Sequence, residues 1–442
     1  MSQITYKCEG INSTGNGIIT ANNRKHLVPN LLPNEEAEIE LTENGYGKVI
    51  KIVSSSSQRV KPKCPRYTEC GGCHLQHCDY QMQLDIKTKI VKDCMQNFKL
   101  DSETVLPCIG MKEPFHYRNK IQMVISEKGR KIMAGFYEEN THKIINVDDC
   151  SIQDETANAI IRSCKELMTK HKIKPFIEDK STGLIRHIMI KRSEITKQIL
   201  VILVTVTETF PGRNNFVTDL RKAHPEITSI VQNINDRKTS VVLGEYERII
   251  YGKGTIEDEI FDKKFIISAK TFYQVNAKQT KILYQKAIEL AKPNPSDIVV
   301  DAFAGVGTIG IILADSVKQV YAVEINKASV KNAILNARIN QIKNIRFYED
   351  DATHFINQIA DEGIIPDILF LDPPRAGVDQ EMINAIERIK PKKIVYISCD
   401  PHTLARDLQK LVSIRYTLKR VQPVDMFCQT YHVETVSLLS LK

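Results

Sequence analysis

Residues 297–326, DIVVDAFAGVGTIGIILADSVKQVYAVEIN, decide how the rest of the chain is read. Ile298 to Ala302 is a short apolar run rich in β-branched residues, which predicts a buried strand. Gly305, Gly307 and Gly310 follow in GxGxxG spacing and lead into a helix-compatible stretch ending near Ser316. A second apolar run, Tyr321 to Val323, delivers Glu324 nineteen residues after the first glycine. Strand, glycine turn, helix and second strand make a nucleotide-binding half-sheet, and an acid at that point suits the hydroxyls of an adenosine ribose.

Glycine spacing alone does not separate dinucleotides from S-adenosylmethionine. Charge does: Asp301 closes the first strand, where a carboxylate would repel a pyrophosphate but attract a sulfonium and an ammonium. The expected ligand is therefore the methyl donor. Downstream, the α/β pattern continues through the predicted strands NIRFYEDD, DILFLDPPRAG and KIVYISCDP, then the apolar runs YTLKRVQPVDM and VETVSLLSL. Asp350 and Asp351 are candidates to face the adenine, and Gln274 of FYQVN (272–276) is a candidate donor contact.

The 442 residues, 42% of them hydrophobic, allow about three domains. Short apolar runs separated by Gly, Asn and Pro predict a small all-β module over residues 1–56, with Ser54 to Ser57 and Pro62 as a linker. Its size fits a five-stranded oligonucleotide-binding barrel or a plain packing module. Residues 57–270 read as a central domain: a helix over Leu75 to Phe98, then alternating segments that predict antiparallel hairpins from Tyr117 to about Ile267. Residues 271–442 are the donor-binding domain. The start, MSQITYKCEG, lacks a charged-then-apolar leader, and the aliphatic run Ile199 to Val206 is too short to span a bilayer, so a cytoplasmic protein is expected. Lys and Arg outnumber Asp and Glu by 61 to 53, with most of the surplus before residue 271, in keeping with a polyanionic partner. HYRNK (116–120) mixes aromatic and basic side chains that suit a phosphate and a base.

Eleven cysteines, an odd number, point to metal or catalytic use of some rather than to a disulfide framework. CPRYTECGGC places Cys64, Cys70 and Cys73 on one glycine-containing loop, and Cys150 of NVDDCSI is the candidate fourth ligand of a soft metal centre. Spacing leaves zinc and iron–sulfur both open. Cys8, Cys94, Cys108, Cys164 and Cys428 are assigned to packing.

Ligands of open α/β sheets lie beyond the carboxyl ends of the strands, where Asp372 and Cys399 both fall. A thiol beside a methyl donor implies an acceptor carbon that needs covalent activation. Uracil meets that description, since thiolate addition at carbon 6 makes carbon 5 nucleophilic.

In FYQVN, DAFAGVGT, YAVEIN, FLDPPRAG and YISCDP, in that order, the chain resembles the RumA/TrmA family of S-adenosylmethionine-dependent RNA uracil-5-methyltransferases over essentially its whole length. The resemblance implies an α/β fold: a Rossmann-like class I methyltransferase domain, a TRAM-like, OB-like N-terminal β-barrel, and a central α+β domain carrying an iron–sulfur loop. It implies donor contacts Gln274, Phe303, Glu324 and Asp372, nucleophile Cys399, base Glu434, and a 4Fe-4S cluster on Cys64, Cys70, Cys73 and Cys150. Family members directed to tRNA generally lack barrel and cluster, so the expectation is a monomer acting on 23S ribosomal RNA. A tRNA enzyme and a non-catalytic RNA-binding iron–sulfur protein are the alternatives. A cytosine-5 methyltransferase would carry a Pro-Cys pair where this chain has Asp372 and Pro373.

Overall fold

The β-branched runs of the last third form a seven-stranded sheet: β1 (Ile298–Asp301), β2 (Gln319–Glu324), β3 (Ile345–Glu349), β4 (Ile368–Leu371), β5 (Lys393–Ser398), β6 (Tyr416–Val424) and β7 (Glu434–Leu441). The order in space is β3-β2-β1-β4-β5-β7-β6. The first five are parallel, and β7 is inserted antiparallel to both β5 and β6. Helices on the two faces explain why β4 reads as an unbroken apolar ILFL, buried at every position. Strand order reverses between β1 and β4, which opens a crevice at their carboxyl ends. This computed structural model describes residues 5–42, 44–129, 131–139, 141–237, 239 and 241–442.

The central segment forms a second seven-stranded sheet, from edge to edge Tyr246–Tyr251, Ile227–Ile234, Ile199–Thr205, Ile185–Arg192, Lys120–Lys128, Lys131–Tyr137 and Ile144–Asn146. It is not the all-antiparallel arrangement expected from alternation. Ile199–Thr205 and Ile227–Ile234 pair in parallel, because helix Arg213–Ala223 carries the chain back across the sheet between them. Strand Lys263–Ser268 pairs with Thr255–Ile260 as a separate ribbon. Near the N-terminus, Thr5–Lys7, Glu36–Leu41 and Gly47–Ser54 form one three-stranded sheet, and Gly10–Ile11, Gly17–Ala21 and Arg24–Val28 another. They share a core of Cys8, Ile19, Val28, Leu31 and Ala37. The serine run is tied down: buried Glu35 accepts from the Ser56 amide (3.1 Å) and pairs with Arg59 (2.6 Å).

Helix Tyr80–Asn97 precedes the central sheet in sequence, yet Val91, Cys94 and Met95 on its apolar face join the core of the β1–β7 sheet. The same helix buries Lys87, which pairs with Asp425 just past β6; neither side chain is exposed. The Phe427 carbonyl (3.1 Å) also accepts from Lys87, and the Tyr80 hydroxyl donates to Asp425 (2.7 Å). Asp425→Ala leaves an uncompensated buried ammonium and is expected to destabilise the fold by about 3–5 kcal/mol, whereas Lys87→Met with Asp425→Leu should lose much less. Urea unfolding midpoints of the single and double variants test this.

Candidate active site

Glycine makes the turn after β1 possible. Gly305 and Gly307 have φ of +54° and +80°, a left-handed conformation that side chains disfavour. The Gly305 amide donates to Glu324 Oε2 (3.0 Å), and the Asn326 amide to Oε1 (2.7 Å), so Glu324 is held at the end of β2 beside the turn. Asp301 departs from expectation. It is buried behind the turn, where Oδ2 accepts from the Gly310 amide (3.0 Å) and Oδ1 has no partner. Burial pushes its carboxyl up to about 7, against the Gly310 bond and helped by the charge of Glu324. Asp301 therefore anchors the first turn of helix Thr308–Leu313 instead of lining the cavity. Asp351 caps helix Ala352–Asp361 and Asp350 bonds His354 (2.7 Å); neither lines the cavity.

Gln274, Phe303, Glu324, Asp372, Cys399 and Glu434 all line one cavity of about 930 Å³. Cys399 follows the last residue of β5, and Glu434 is the first of β7. The register Ser398↔Thr435 sets the two side by side across an antiparallel pair. Three acids and a thiol then share a partly dry crevice. Burial first, and then the charge of Asp301, pushes Asp372 up to about 7. Glu434 rises to about 8 through burial and Asp372, with Arg375 opposing. The Cys399 thiol rises to about 11 through burial, Glu434 and Asp372, against the charge and hydrogen bond of Arg375. Arg375, directly after the DPP of the β4 loop, is the group that sequence reading passed over, although the quoted FLDPPRAG contains it. Lys120 of HYRNK also reaches this cavity, its ammonium 5.3 Å from the Phe272 ring centre.

These charges predict the reactivity of Cys399. Its alkylation by iodoacetamide, followed on the Cys399 peptide by mass spectrometry, should rise with pH to a midpoint well above that of a free thiol. Glu434→Gln should lower that midpoint and Arg375→Gln raise it, each unit being tenfold in rate at fixed pH. An ordinary thiol midpoint insensitive to both substitutions would contradict this electrostatic picture.

A second, small cavity of about 40 Å³ gathers Cys64, Cys70, Cys73 and Cys150, with Arg118 of HYRNK on its wall. Burial raises Cys70, Cys73 and Cys150, with Cys73 pushed up to about 12. Cys78 lies elsewhere and donates to the Leu75 carbonyl (3.3 Å). Among the described residues no three His, Cys, Asp or Glu side chains are placed to hold a single metal ion.

The sequence model of the tRNA (Uracil-5-)-methyltransferase family matches residues 79–442. The chain belongs to this family. As a member it is an S-adenosylmethionine-dependent RNA uracil-5-methyltransferase. Relatives described as uncharacterized RNA methyltransferases include one from Oceanobacillus iheyensis, 40% identical over 99% of this chain and 96% of its own, and one from Clostridium tetani, 39% identical over 98% and 95%. The methyltransferase also superimposes on the crystal structure of Pyrococcus abyssi tRNA (uracil-54, C5)-methyltransferase in complex with S-adenosyl-L-homocysteine. The TM-score is 0.79 at 27% identity, over 99% of this chain and 100% of that one.

Proposed function

We propose that this methyltransferase modifies carbon 5 of a uridine in 23S ribosomal RNA, with Cys399 as nucleophile and Glu434 as base. The observation that carries the residue assignment is the β5–β7 register, which sets the thiol and the carboxylate together in the cavity that also holds Gln274, Phe303, Glu324 and Asp372. The thiolate adds to carbon 6, and the electron pair released to carbon 5 takes the methyl group from the donor sulfur. Glu434 then removes the carbon 5 proton, and the returning pair expels the thiolate, restoring the ring and freeing the enzyme. Glu324 suits the ribose of the donor; Gln274, Phe303 and Asp372 complete its pocket. Because Cys399 must approach the face of the ring, the uridine has to leave its stack, at a cost of a few kcal/mol.

The RNA target rests on the N-terminal module and the cysteine loop. A tRNA target is the second reading, favoured by the superposition on the Pyrococcus abyssi enzyme across the whole chain, its N-terminal sheets included. Transfer of labelled methyl to purified 23S ribosomal RNA and to tRNA, with the product mapped as 5-methyluridine, decides between them. Label on tRNA alone would overturn the ribosomal assignment. The proposal includes a cytoplasmic monomer with domains over 1–56, 57–270 and 271–442; no helix among the described residues is long and apolar enough to cross a membrane.

We further propose that Cys64, Cys70, Cys73 and Cys150 hold a 4Fe-4S cluster. Four thiols around one cavity are a soft donor set, and Arg118 beside them supplies positive charge to an anionic thiolate centre. Such a cluster would serve as a structural brace, because methyl transfer to uracil moves no net electrons. Anaerobically purified protein is expected to be brown, oxygen-sensitive and to contain about four irons per chain. Stoichiometric zinc without iron would refute the assignment.

A further inference from the structure

Gln429 lies in the connection between β6 and β7, five residues before Glu434, and is 2% exposed. Its φ of +70° is strained for a residue other than glycine and persists only where the surroundings over-determine it. Here they do. Its carbonyl accepts from the amides of His74 (2.9 Å) and Leu75 (3.0 Å), the two residues after Cys73. Its own amide donates to Gln83 Oε1 (3.1 Å), and its side-chain Oε1 accepts from Gln83 Nε2 (3.1 Å). Gln83, on helix Tyr80–Asn97, also donates to the Cys78 carbonyl (3.2 Å), and the Tyr117 hydroxyl donates to the carbonyl of Cys428 (3.0 Å). Beyond Gln429, the ring of Tyr431 packs on those of His74 (4.6 Å between centres) and His432 (4.3 Å). One buried residue thus joins the cysteine loop, a helix and the segment that runs into Glu434.

We infer that the cysteine loop positions Glu434 through the Gln429–Gln83 clamp, so that release of the RNA adduct depends on the loop more than methyl transfer does. This rests on the roles proposed above for Cys399 and Glu434. Among the described residues no hydrogen bond holds the buried Glu434 carboxyl, on which Asp372 and Arg375 act by charge, so its position in the crevice depends on the backbone that carries it and on packing. That backbone is continuous with the clamped segment. Cys399 sits directly after β5, outside the clamp, and its addition step should tolerate a loosened loop. Gln83 and Gln429 are positioning residues.

The test is single-turnover methyl transfer together with a denaturing gel that shows RNA held covalently on Cys399. Gln83→Leu removes both bonds that the Gln83 side chain makes to Gln429 without altering the Cys399 or Glu434 side chain itself. Transfer should stay near the wild-type rate while release slows by about tenfold to a hundredfold, the size of effect a displaced catalytic group produces, and methylated RNA should accumulate as a slow band. Gln83→Glu keeps the acceptor for the Gln429 amide and should restore most of the release rate. Cys73→Ser, one residue before His74, should accumulate the same band. If Gln83→Leu fails to fold, Gln429→Gly removes the bond from Gln83 Nε2 to Gln429 Oε1, keeps the amide bond to Gln83 Oε1, and sits at a φ that glycine adopts freely, so it should accumulate the same band to a smaller extent. Wild-type release in Gln83→Leu and Cys73→Ser, or loss of RNA binding without a band, would overturn the coupling. Absence of a band in Glu434→Gln on every RNA would instead remove the reading on which it rests.

Discussion

Cys399→Ala is expected to bind the donor and RNA yet transfer no methyl group, a loss of roughly 10⁴-fold or more. Carbon 5 of uracil is too weak a nucleophile to take a methyl group unaided. Addition of a thiolate at carbon 6 is what places an electron pair on it. Cys399 is the only cysteine lining the large cavity among the described residues, so no second thiol stands ready to replace it. Its high proton affinity, about 11, means that the thiolate is scarce in the free enzyme and must be favoured by what binds. Arg375 already acts in that direction, and the positive charges of the donor would add to it. Incorporation of labelled methyl into RNA measures the effect. A residual rate within tenfold of wild type would mean that the reaction does not pass through this thiol.

Glu434→Gln is expected to stop the reaction one step later, with release slowed by about 10²–10⁴-fold, the usual contribution of a positioned base. Glutamine keeps the shape of the side chain and cannot accept the carbon 5 proton. Methylated RNA should therefore stay bound to Cys399 and appear as a slow band on a denaturing gel. The band should require a transferable methyl group and vanish when Cys399→Ala is added. In the wild-type enzyme, burial and Asp372 hold Glu434 near 8, so the carboxylate form gains as pH rises from 6 to 9, and release should accelerate over that window. Transfer itself assists: it removes the sulfonium charge from the crevice, and losing a nearby cation raises the proton affinity of a carboxylate. The base is strongest at the step that uses it. Normal turnover of Glu434→Gln without trapped adduct would take Glu434 out of the mechanism.

Both residues were legible for different reasons. Cys399 lies in YISCDP, an apolar run ending in polar residues, and the rule that ligands sit beyond strand ends places it in the crevice without further information. Glu434 carries no such local mark; it is an acid opening the final strand, and only the family resemblance singled it out. Its position depends on β7 entering between β5 and β6 in the antiparallel sense, a long-range choice made by sheet packing. Asp301 shows the opposite failure. It closes β1 as the sequence predicts, but its carboxylate turns behind the glycine turn, because the orphan amide of Gly310 captures one oxygen.

What the sequence by itself determined is local: the strand, glycine turn and acid of residues 297–326, the short β runs near the N-terminus, and the grouping of three thiols in CPRYTECGGC. Periodicity, φ-permissive glycines and residue spacing act within a few turns of chain, so they are written in contiguous stretches. The tertiary structure alone decided the parallel pair in the central sheet, the buried Lys87–Asp425 pair and the raised proton affinities of Asp372, Cys399 and Glu434. Each of these depends on burial or on charge between residues distant in sequence. Desolvation is a property of the assembled interior, and no stretch of chain carries it alone.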